Sequence, residues 1–220
     1  MKVVEIFKSI DGEGIRAGFP VTFIRLFGCN LACNYCDSTY ATGNSPVTPP
    51  EDGKWYEDMD VDDILDEVFK LGCKRITLTG GEPLIHDDVD VLISRLCQEG
   101  YEINIETNGS ILIYKYRQSN VFFTLDYKCP CSGMECEMDR RNLKLLRSQD
   151  VLKFVVATKQ DLDRALTVSN YTSAQVFISP VFGKIQPVEI VEYMLEHNMQ
   201  DARVQVQLHK IIWDPNKRGV

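Results

Sequence analysis

The sequence predicts an α/β fold in which mostly parallel strands form a partial, incomplete TIM-type barrel, within a single domain of residues 1–220. Short runs of β-branched and apolar residues recur along the chain, and segments of helical period separate them. Too few strand–helix units are visible for a closed eight-fold barrel. Reactive loops are therefore expected at the carboxyl ends of the strands.

Each element follows from a local pattern. The predicted strands cover residues 21–27, 75–79, 101–106, 121–126, 152–156, 175–179 and 203–207. One helix is predicted to start at Asp60 and to stop at Gly72, where a capping carboxylate and a glycine stand at its two ends. A second helix begins after Asp88, a third begins at Pro187, and residues 42–54 read as a long polar loop.

Composition excludes several classes of protein. The net charge of −8 argues against nucleic acid as a partner, because phosphate binding depends on a basic surface. No apolar run approaches the ~20 residues of a membrane span, and the first residues lack a signal-peptide pattern. We therefore expect a cytoplasmic protein without membrane contact, in which eight cysteines serve as metal ligands or free thiols.

Three cysteines form the most informative motif. Cys29, Cys33 and Cys36 follow a predicted strand with the spacing C-x₃-C-x₂-C. Three thiolates can bind three irons of a 4Fe–4S cluster, which leaves the fourth iron open to S-adenosylmethionine (SAM). An electron passed to the sulfonium would then release a 5′-deoxyadenosyl radical. A structural zinc site would need a fourth ligand, and the nearest histidine, His86, lies fifty residues further on.

Two further motifs follow the next two strands. Thr79-Gly80-Gly81-Glu82-Pro83 contains two glycines that let the backbone approach a ligand closely, although an ordinary strand-to-helix turn explains them as well. Glu106-Thr107-Asn108-Gly109 brings three polar side chains to the end of the following strand.

Taken together, these three motifs resemble the radical SAM superfamily. The resemblance implies a 4Fe–4S cluster on the three cysteines and SAM as cofactors, with Tyr35 beside the adenine. It also implies a set of residues around the methionine amino group, the ribose and the carboxylate of SAM, namely Gly80, Gly81, Glu82, Glu106, Thr107, Asn108, Asp126 and Lys128.

A closer resemblance extends from residue 5 to residue 220. The segments 9–14, 23–30, 36–38 and 207–210 are similar to the 7-carboxy-7-deazaguanine synthase family of queuosine biosynthesis. That resemblance implies a magnesium ion on Ser38 and a pterin-like substrate bound by Glu13, Arg25, Thr79, His209 and Val220. From the residues alone, Glu13 could equally be a solvated turn residue, Arg25 an ion-pair partner and His209 a packed histidine.

Asp11 departs from the glutamine that is usual in this family. An ionised aspartate suits a protonated amine better than a carboxylated substrate. We therefore favour a queuine lyase, which would release 7-aminomethyl-7-deazaguanine, over its alternative, a 7-carboxy-7-deazaguanine synthase that contracts the ring of 6-carboxy-tetrahydropterin. Ser38 favours the synthase, because a metal-binding hydroxyl suits a carboxylated substrate. In either case the substrate is a small 7-deazapurine or pterin.

Other functions fit fewer of the residues. The segment Ser9 to Arg16 is also similar to activases that install glycyl radicals in partner enzymes. The remaining alternative is a protein without enzymatic activity, an interaction module that binds an iron–sulfur cluster or zinc. For the enzyme we expect a reductase such as flavodoxin or ferredoxin as electron donor, and a homodimer.

The remaining cysteines have no clear ligand pattern. Cys129, Cys131 and Cys136 could hold an auxiliary cluster or zinc, but free thiols in a loop are favoured because no fourth ligand stands at a familiar spacing. Cys73 and Cys97 are expected to pack as small apolar residues.

Overall fold

A computed structural model describes residues 1–43, 53–214 and 217–220, so most of the loop predicted at 42–54 lies outside the described residues. The chain forms one sheet with the strand order β3-β1-β2-β4-β5-β6-β7-β8-β9. The strands are β1 Lys2–Ile10, β2 Pro20–Leu26, β3 Glu57–Asp58, β4 Arg75–Gly80, β5 Glu102–Thr107, β6 Val121–Tyr127, β7 Val151–Val156, β8 Gln175–Pro180 and β9 Ala202–Val204.

The sheet is mostly parallel and open. Strand β1 pairs antiparallel with β2 and β3, whereas each pair from β2–β4 through β8–β9 is parallel. Strands β3 and β9 are the two edges, so the sheet does not close on itself. The predicted incomplete barrel is confirmed, and so are the seven predicted strands, with shifts of one to three residues at their ends. Strands β1 and β3 were not predicted.

Helices connect the parallel strands. They are α1 Thr39–Thr42, α2 Val61–Leu71, α3 Val89–Gln98, α4 Asn142–Leu145, α5 Lys159–Ser169, α6 Pro187–Glu196 and α7 His209–Ile212. Asp60 caps α2 through the backbone N–H of Asp63, and Gly72 ends it in the left-handed conformation with φ 63°, as the sequence predicts. Within the described residues, no helix is long and apolar enough to span a membrane.

The two faces of the sheet differ in polarity, and this difference positions the site. On the outer face, Ile24, Leu78 and Ile105 are fully buried together with Ile64 and Leu92 of the covering helices. On the inner face the alternate residues are polar, and the strand register aligns them side by side: Arg25 with Thr79, Glu106 with Thr124, and Asp126 with Lys153. A buried polar surface of this kind is suited to a polar ligand.

Candidate active site

The cysteine loop begins where β2 ends. Gly28 has φ 104°, a value that other residues rarely adopt, and it turns the chain into the loop. Cys29, Cys33 and Cys36 are all half-buried free thiols. The loop is hydrogen-bonded to the 3₁₀ turn that follows β6, where the N–H of Asn34 donates to the Ser132 carbonyl at 3.1 Å.

The three thiols fit an iron–sulfur cluster. Burial raises the pKa of the Cys33 thiol, and the Lys128 ammonium lowers it again, so a cation is at hand to stabilise thiolates. No three His, Cys, Asp or Glu side chains of the described residues converge as a site for one metal ion. In a 4Fe–4S cluster each thiolate binds a different iron.

The Gly80-Gly81 pair packs directly on the cysteine loop. A Cβ added at Gly81 would lie 2.2 Å from the Gly28 carbonyl oxygen and 2.9 Å from the Cys29 Cβ, and one at Gly80 would lie 2.2 Å from the Leu26 oxygen. The N–H of Glu82 also donates to the Gly28 carbonyl at 2.8 Å. These glycines therefore permit backbone-to-backbone contact within the protein, besides any contact with a cofactor.

Glu82 is engaged with protein donors. Its carboxylate is fully buried and accepts hydrogen bonds from the N–H of Leu84 at 3.0 Å, the hydroxyl of Thr107 at 2.9 Å and the N–H of Asn108 at 2.6 Å. Burial raises its pKa to about 7, against the lowering effect of these donors. Glu82 thus joins the two motifs, and its position near the SAM amino group, which the resemblance implies, stays a prediction.

Asn108 stands beside the first cysteine. Its side-chain amide donates to the Cys29 sulfur at 3.6 Å and to the Asn30 side-chain oxygen at 3.1 Å. Hydrogen bonds to a cluster sulfur ligand tune its electron density. Asn108 is thus placed to act on the sulfur of the first cysteine.

Polar groups line the inner face next to the cysteine loop. Glu106 accepts a hydrogen bond from the Thr79 hydroxyl at 2.9 Å. Asp126 pairs with Lys128 at 3.1 Å through Oδ2, but its buried Oδ1 has no hydrogen-bond partner among the described residues. An unsatisfied buried acceptor indicates room for a donor from outside the protein, such as a cofactor hydroxyl. Tyr35 donates to the Val155 carbonyl at 3.2 Å on the same side.

Glu13 lies in a network of donors. Its carboxylate contacts Lys153 at 3.2 Å, the Ser179 hydroxyl at 2.9 Å and the Gln207 side chain at 3.3 Å. Its side chain is only 11% exposed, so the solvated-turn interpretation is wrong. His209 packs on Gly12, where an added Cβ would meet the ring at 2.4 Å. The structure therefore brings His209 next to Glu13, and burial lowers the pKa of His209.

Arg25 forms an ion pair with Glu5. Its Nε donates to Glu5 Oε1 at 2.7 Å, and the Tyr40 hydroxyl donates to the same oxygen at 3.1 Å. The two terminal guanidinium nitrogens have no hydrogen-bond partner within the described ranges, so one edge of Arg25 can still bind a ligand. The end of the chain runs nearby, since a Cβ added at Gly219, next to Val220, would lie 3.9 Å from Glu5 Oε2.

Ser38 is hydrogen-bonded to its neighbour in sequence. Its hydroxyl donates to Asp37 Oδ1 at 3.1 Å, and Asp37 pairs with Lys210 at 3.0 Å. The Ser38 hydroxyl and one carboxylate are too few to hold magnesium alone, but Mg²⁺ commonly keeps several waters and completes its shell with substrate oxygens.

Asp11 is a buried partner in an ion pair. It is 2% exposed, pairs with Arg16 at 2.9 Å and accepts a hydrogen bond from Thr77 at 2.7 Å. Arg16 also donates to the carbonyls of Ile76 and Glu102, at the amino ends of β4 and β5. Burial raises the pKa of Asp11 to about 6, opposed by Arg16. This carboxylate belongs to a buried ion pair, which gives the expected contact with a substrate amine no support, and that contact stays a prediction.

Several site residues have no counterpart in the sequence prediction. Glu5, Lys153, Ser179 and Gln207 hold the predicted substrate residues in place. A signal was present for Lys153, a lone charge within the apolar strand β7, which is only 8% exposed. Of the second cysteine group, Cys129 is buried, Cys131 half-buried and Cys136 exposed. Cys73 and Cys97 are half-buried.

Comparison with known proteins identifies the family. The model of the radical SAM superfamily matches residues 23–126. A 7-carboxy-7-deazaguanine synthase of Clostridium acetobutylicum is 42% identical over 226 residues, which cover 100% of this chain and 99% of the relative. The chain belongs to the 7-carboxy-7-deazaguanine synthase family. A relative of the same name from Methanospirillum hungatei is 39% identical, over 98% of this chain and 86% of its own length.

Solved structures agree on the fold. The crystal structure of QueE from Escherichia coli matches with a TM-score of 0.73 at 22% identity, over 94% of this chain and 93% of that one. Streptococcus suis SuiB bound to S-adenosylmethionine matches with a TM-score of 0.53 at 14% identity, over 84% of this chain and 45% of that one. The protein is therefore a radical SAM enzyme of the QueE type, with a 4Fe–4S cluster and SAM as its cofactors.

Proposed function

We propose that this protein makes 7-carboxy-7-deazaguanine from 6-carboxy-tetrahydropterin, by ring contraction with loss of ammonia. The observation that carries the proposal is the relative named for this product, which is 42% identical over its whole length. The queuine lyase hypothesis depended on an Asp11 carboxylate directed at a substrate amine, and Asp11 is instead paired with Arg16. The synthase, first considered as the alternative, is now the better supported of the two.

The cofactors, when bound, supply a carbon-centred radical that abstracts hydrogen from the substrate. In our proposal Cys29, Cys33 and Cys36 hold the cluster, and Tyr35 and the polar ends of β5 and β6 hold SAM. The buried Asp126 oxygen without a partner supports this position, because a ribose hydroxyl would satisfy it.

In the same proposal the inner face orients the pterin. Glu13 accepts two parallel hydrogen bonds from its amino-pyrimidinone edge, a geometry that its three protein donors keep fixed. The open edge of Arg25 pairs with the substrate carboxylate, and Thr79 and His209 border the ring. A Mg²⁺ ion on the Ser38 hydroxyl would draw its remaining ligands from water and the substrate.

The experiment uses anaerobically reconstituted protein with SAM, a strong reductant and one candidate substrate at a time. Mass spectrometry follows 5′-deoxyadenosine and the base products. We expect 7-carboxy-7-deazaguanine from the carboxylated pterin and no 7-aminomethyl-7-deazaguanine from queuine. The reverse pattern would refute the synthase. Cys29→Ala should abolish turnover, whereas the matched variant Cys136→Ala, at an exposed thiol, should keep it.

A further inference from the structure

Lys153 is a buried charge in the middle of an apolar strand. Its neighbours in β7, Leu152 and Phe154, are fully buried in the core, and Lys153 itself is only 8% exposed. Since side chains alternate along a strand, Lys153 faces the inner side of the sheet, where the register places it beside Asp126 of β6. A lysine in this position loses most of its hydration, so acidic partners must compensate for that loss.

The Lys153 ammonium lies between two carboxylates. It contacts Glu13 Oε2 at 3.2 Å and Asp126 Oδ2 at 3.7 Å. Among the described residues, no other side chain forms an ion pair with both of these carboxylates. Burial lowers the pKa of Lys153, but the nearby carboxylates raise it by more, so its pKa lies above the usual value and the ammonium stays charged.

The two carboxylates depend on Lys153 to different degrees. Asp126 has a second cation, because Lys128 contacts the same Oδ2 atom at 3.1 Å. The other hydrogen bonds to Glu13 come from a neutral hydroxyl at 2.9 Å and a neutral amide at 3.3 Å. Within the described parts of the chain, removal of Lys153 would therefore leave Glu13 without an ion-pair partner, but Asp126 with one.

We propose that Lys153 is a positioning residue for recognition of the base: its charge keeps Glu13 ionised as a double acceptor and fixes it relative to Asp126 on the cofactor side. An ionised carboxylate can accept two parallel hydrogen bonds from an amino-pyrimidinone edge, whereas protonation turns one of its oxygens into a donor. Two buried carboxylates that lose their shared cation favour uptake of a proton by one of them. The inference rests on the proposed role of Glu13, and it holds for the pterin and for queuine, which carry the same edge.

Other charged groups also face this ion pair. Glu106 of β5, Asp37 just before α1, and Lys128 interact electrostatically with Lys153, and His209 of α7 interacts with Glu13. All four groups are present in the wild type and in every Lys153 variant. The ratio of a variant's Kd to the wild-type Kd at the same pH therefore reports the change at Lys153, because the titration of these groups and of the ligand is common to both proteins.

The test compares the reconstituted holoenzyme with Lys153→Met, which removes the charge, and with Lys153→Arg, which keeps it. The matched control is Lys159→Met, at the exposed first residue of α5. Anaerobic calorimetry measures the Kd for 6-carboxy-tetrahydropterin, for queuine and for SAM, from about pH 6 to about pH 9. Iron per chain and circular dichroism show whether each variant is folded, and Lys153→Gln serves as the neutral variant if Lys153→Met is not.

At about pH 7 we expect Lys153→Met to weaken binding of the base by roughly 10–100-fold, because a protonated Glu13 loses a charge-assisted hydrogen bond. This ratio should shrink as the pH rises toward about 9, since Glu13 then releases its proton. Lys153→Arg should bind the base much more tightly than Lys153→Met at about pH 7, and neither it nor Lys159→Met should show this pH dependence. SAM binding should change far less than base binding, because Lys128 still pairs with Asp126.

The outcomes separate a charge effect from a structural one. An unchanged Kd for the base in Lys153→Met, a loss that is the same at every pH, or an equal loss in Lys153→Arg would overturn the proposal. An equal loss of SAM binding would also overturn it, because it would indicate that the whole site has collapsed. If the wild type binds queuine and not the pterin, the synthase proposal fails and the comparison is made with queuine; binding of neither base would overturn both proposals.

Discussion

Replacing Gly81 by alanine tests the contact between the two loops that surround the cluster site. The new Cβ would lie 2.2 Å from the Gly28 oxygen, so one backbone must retreat by about 1 Å to reach ordinary contact. That shift would stretch the hydrogen bonds from Glu82 N to Gly28 O at 2.8 Å and from Gly81 N to Leu26 O at 3.1 Å beyond bonding distance. Two lost backbone bonds and residual strain amount to about 2–4 kcal/mol.

For a chain of this length, such a loss lowers Tm by roughly 5–15 °C. Circular dichroism of the metal-free Gly81→Ala protein measures Tm, and iron per chain after reconstitution reports whether the displaced Cys29 still takes part in the site. The matched control is Gly183→Ala, where φ is 74° and nothing lies within 4 Å of the added Cβ, so only about 1 kcal/mol of backbone strain is expected. If Gly81→Ala unfolds within about 2 °C of the wild type and binds the same iron, the close contact is not what requires glycine.

Four further tests address other parts of the protein. Arg16→Met should lower the free energy of unfolding in urea by about 3–5 kcal/mol, because it leaves the Asp11 charge buried without a partner. The double variant Asp11→Leu/Arg16→Met should recover most of that loss. Equal stability of the single and the double variant would contradict the buried pair. Because burial raises the pKa of Asp11 from 3.8 to about 6 in the folded protein, the native state binds this proton more tightly, and wild-type stability should fall as pH rises from about 4 to 6. Glu13→Gln should lower kcat/KM for the pterin by about 10–100-fold at unchanged iron content, and an unaltered kcat/KM would remove Glu13 from substrate binding. Lys128→Met should move the alkylation of Cys33 in the metal-free protein to higher pH. Burial raises the pKa of this thiol and Lys128 lowers it, so removal of the ammonium leaves the pKa higher. An identical pH profile of alkylation would exclude that effect.

The sequence predicted the parallel strands well because each outer face is a dense run of β-branched and apolar residues. It missed β1, which pairs antiparallel at one side of the sheet and carries mixed side chains. It also missed α5, although Thr158 and Asp161 form a capping box there. Helix α5 is polar overall, so its hydrophobic period was weak, and the capping signal was the better guide.

Within the site, local motifs located residues but did not reveal their partners. Glu82 and Asp11 are both acidic residues beside glycines, and both seemed free to meet a ligand. Their partners, Asn108 and Arg16, depend on which loops and strand ends the sheet brings together. A charge that will be neutralised by a distant donor cannot be distinguished by sequence from one that stays open to a substrate.

The backbone next to Glu13 is held by hydrogen bonds between segments that are far apart in the chain. Gln205 accepts a hydrogen bond from the N–H of Gly14 at 2.7 Å and donates to its carbonyl at 3.1 Å, across 191 residues of sequence. Such contacts carry a large loop-closure entropy and form after the sheet between them has ordered. Amide hydrogen exchange at Gly14 would consequently report on cooperative assembly of the whole sheet. A destabilising change in any central strand would weaken the contact between Gly14 and Gln205, even where the changed residue touches no site residue.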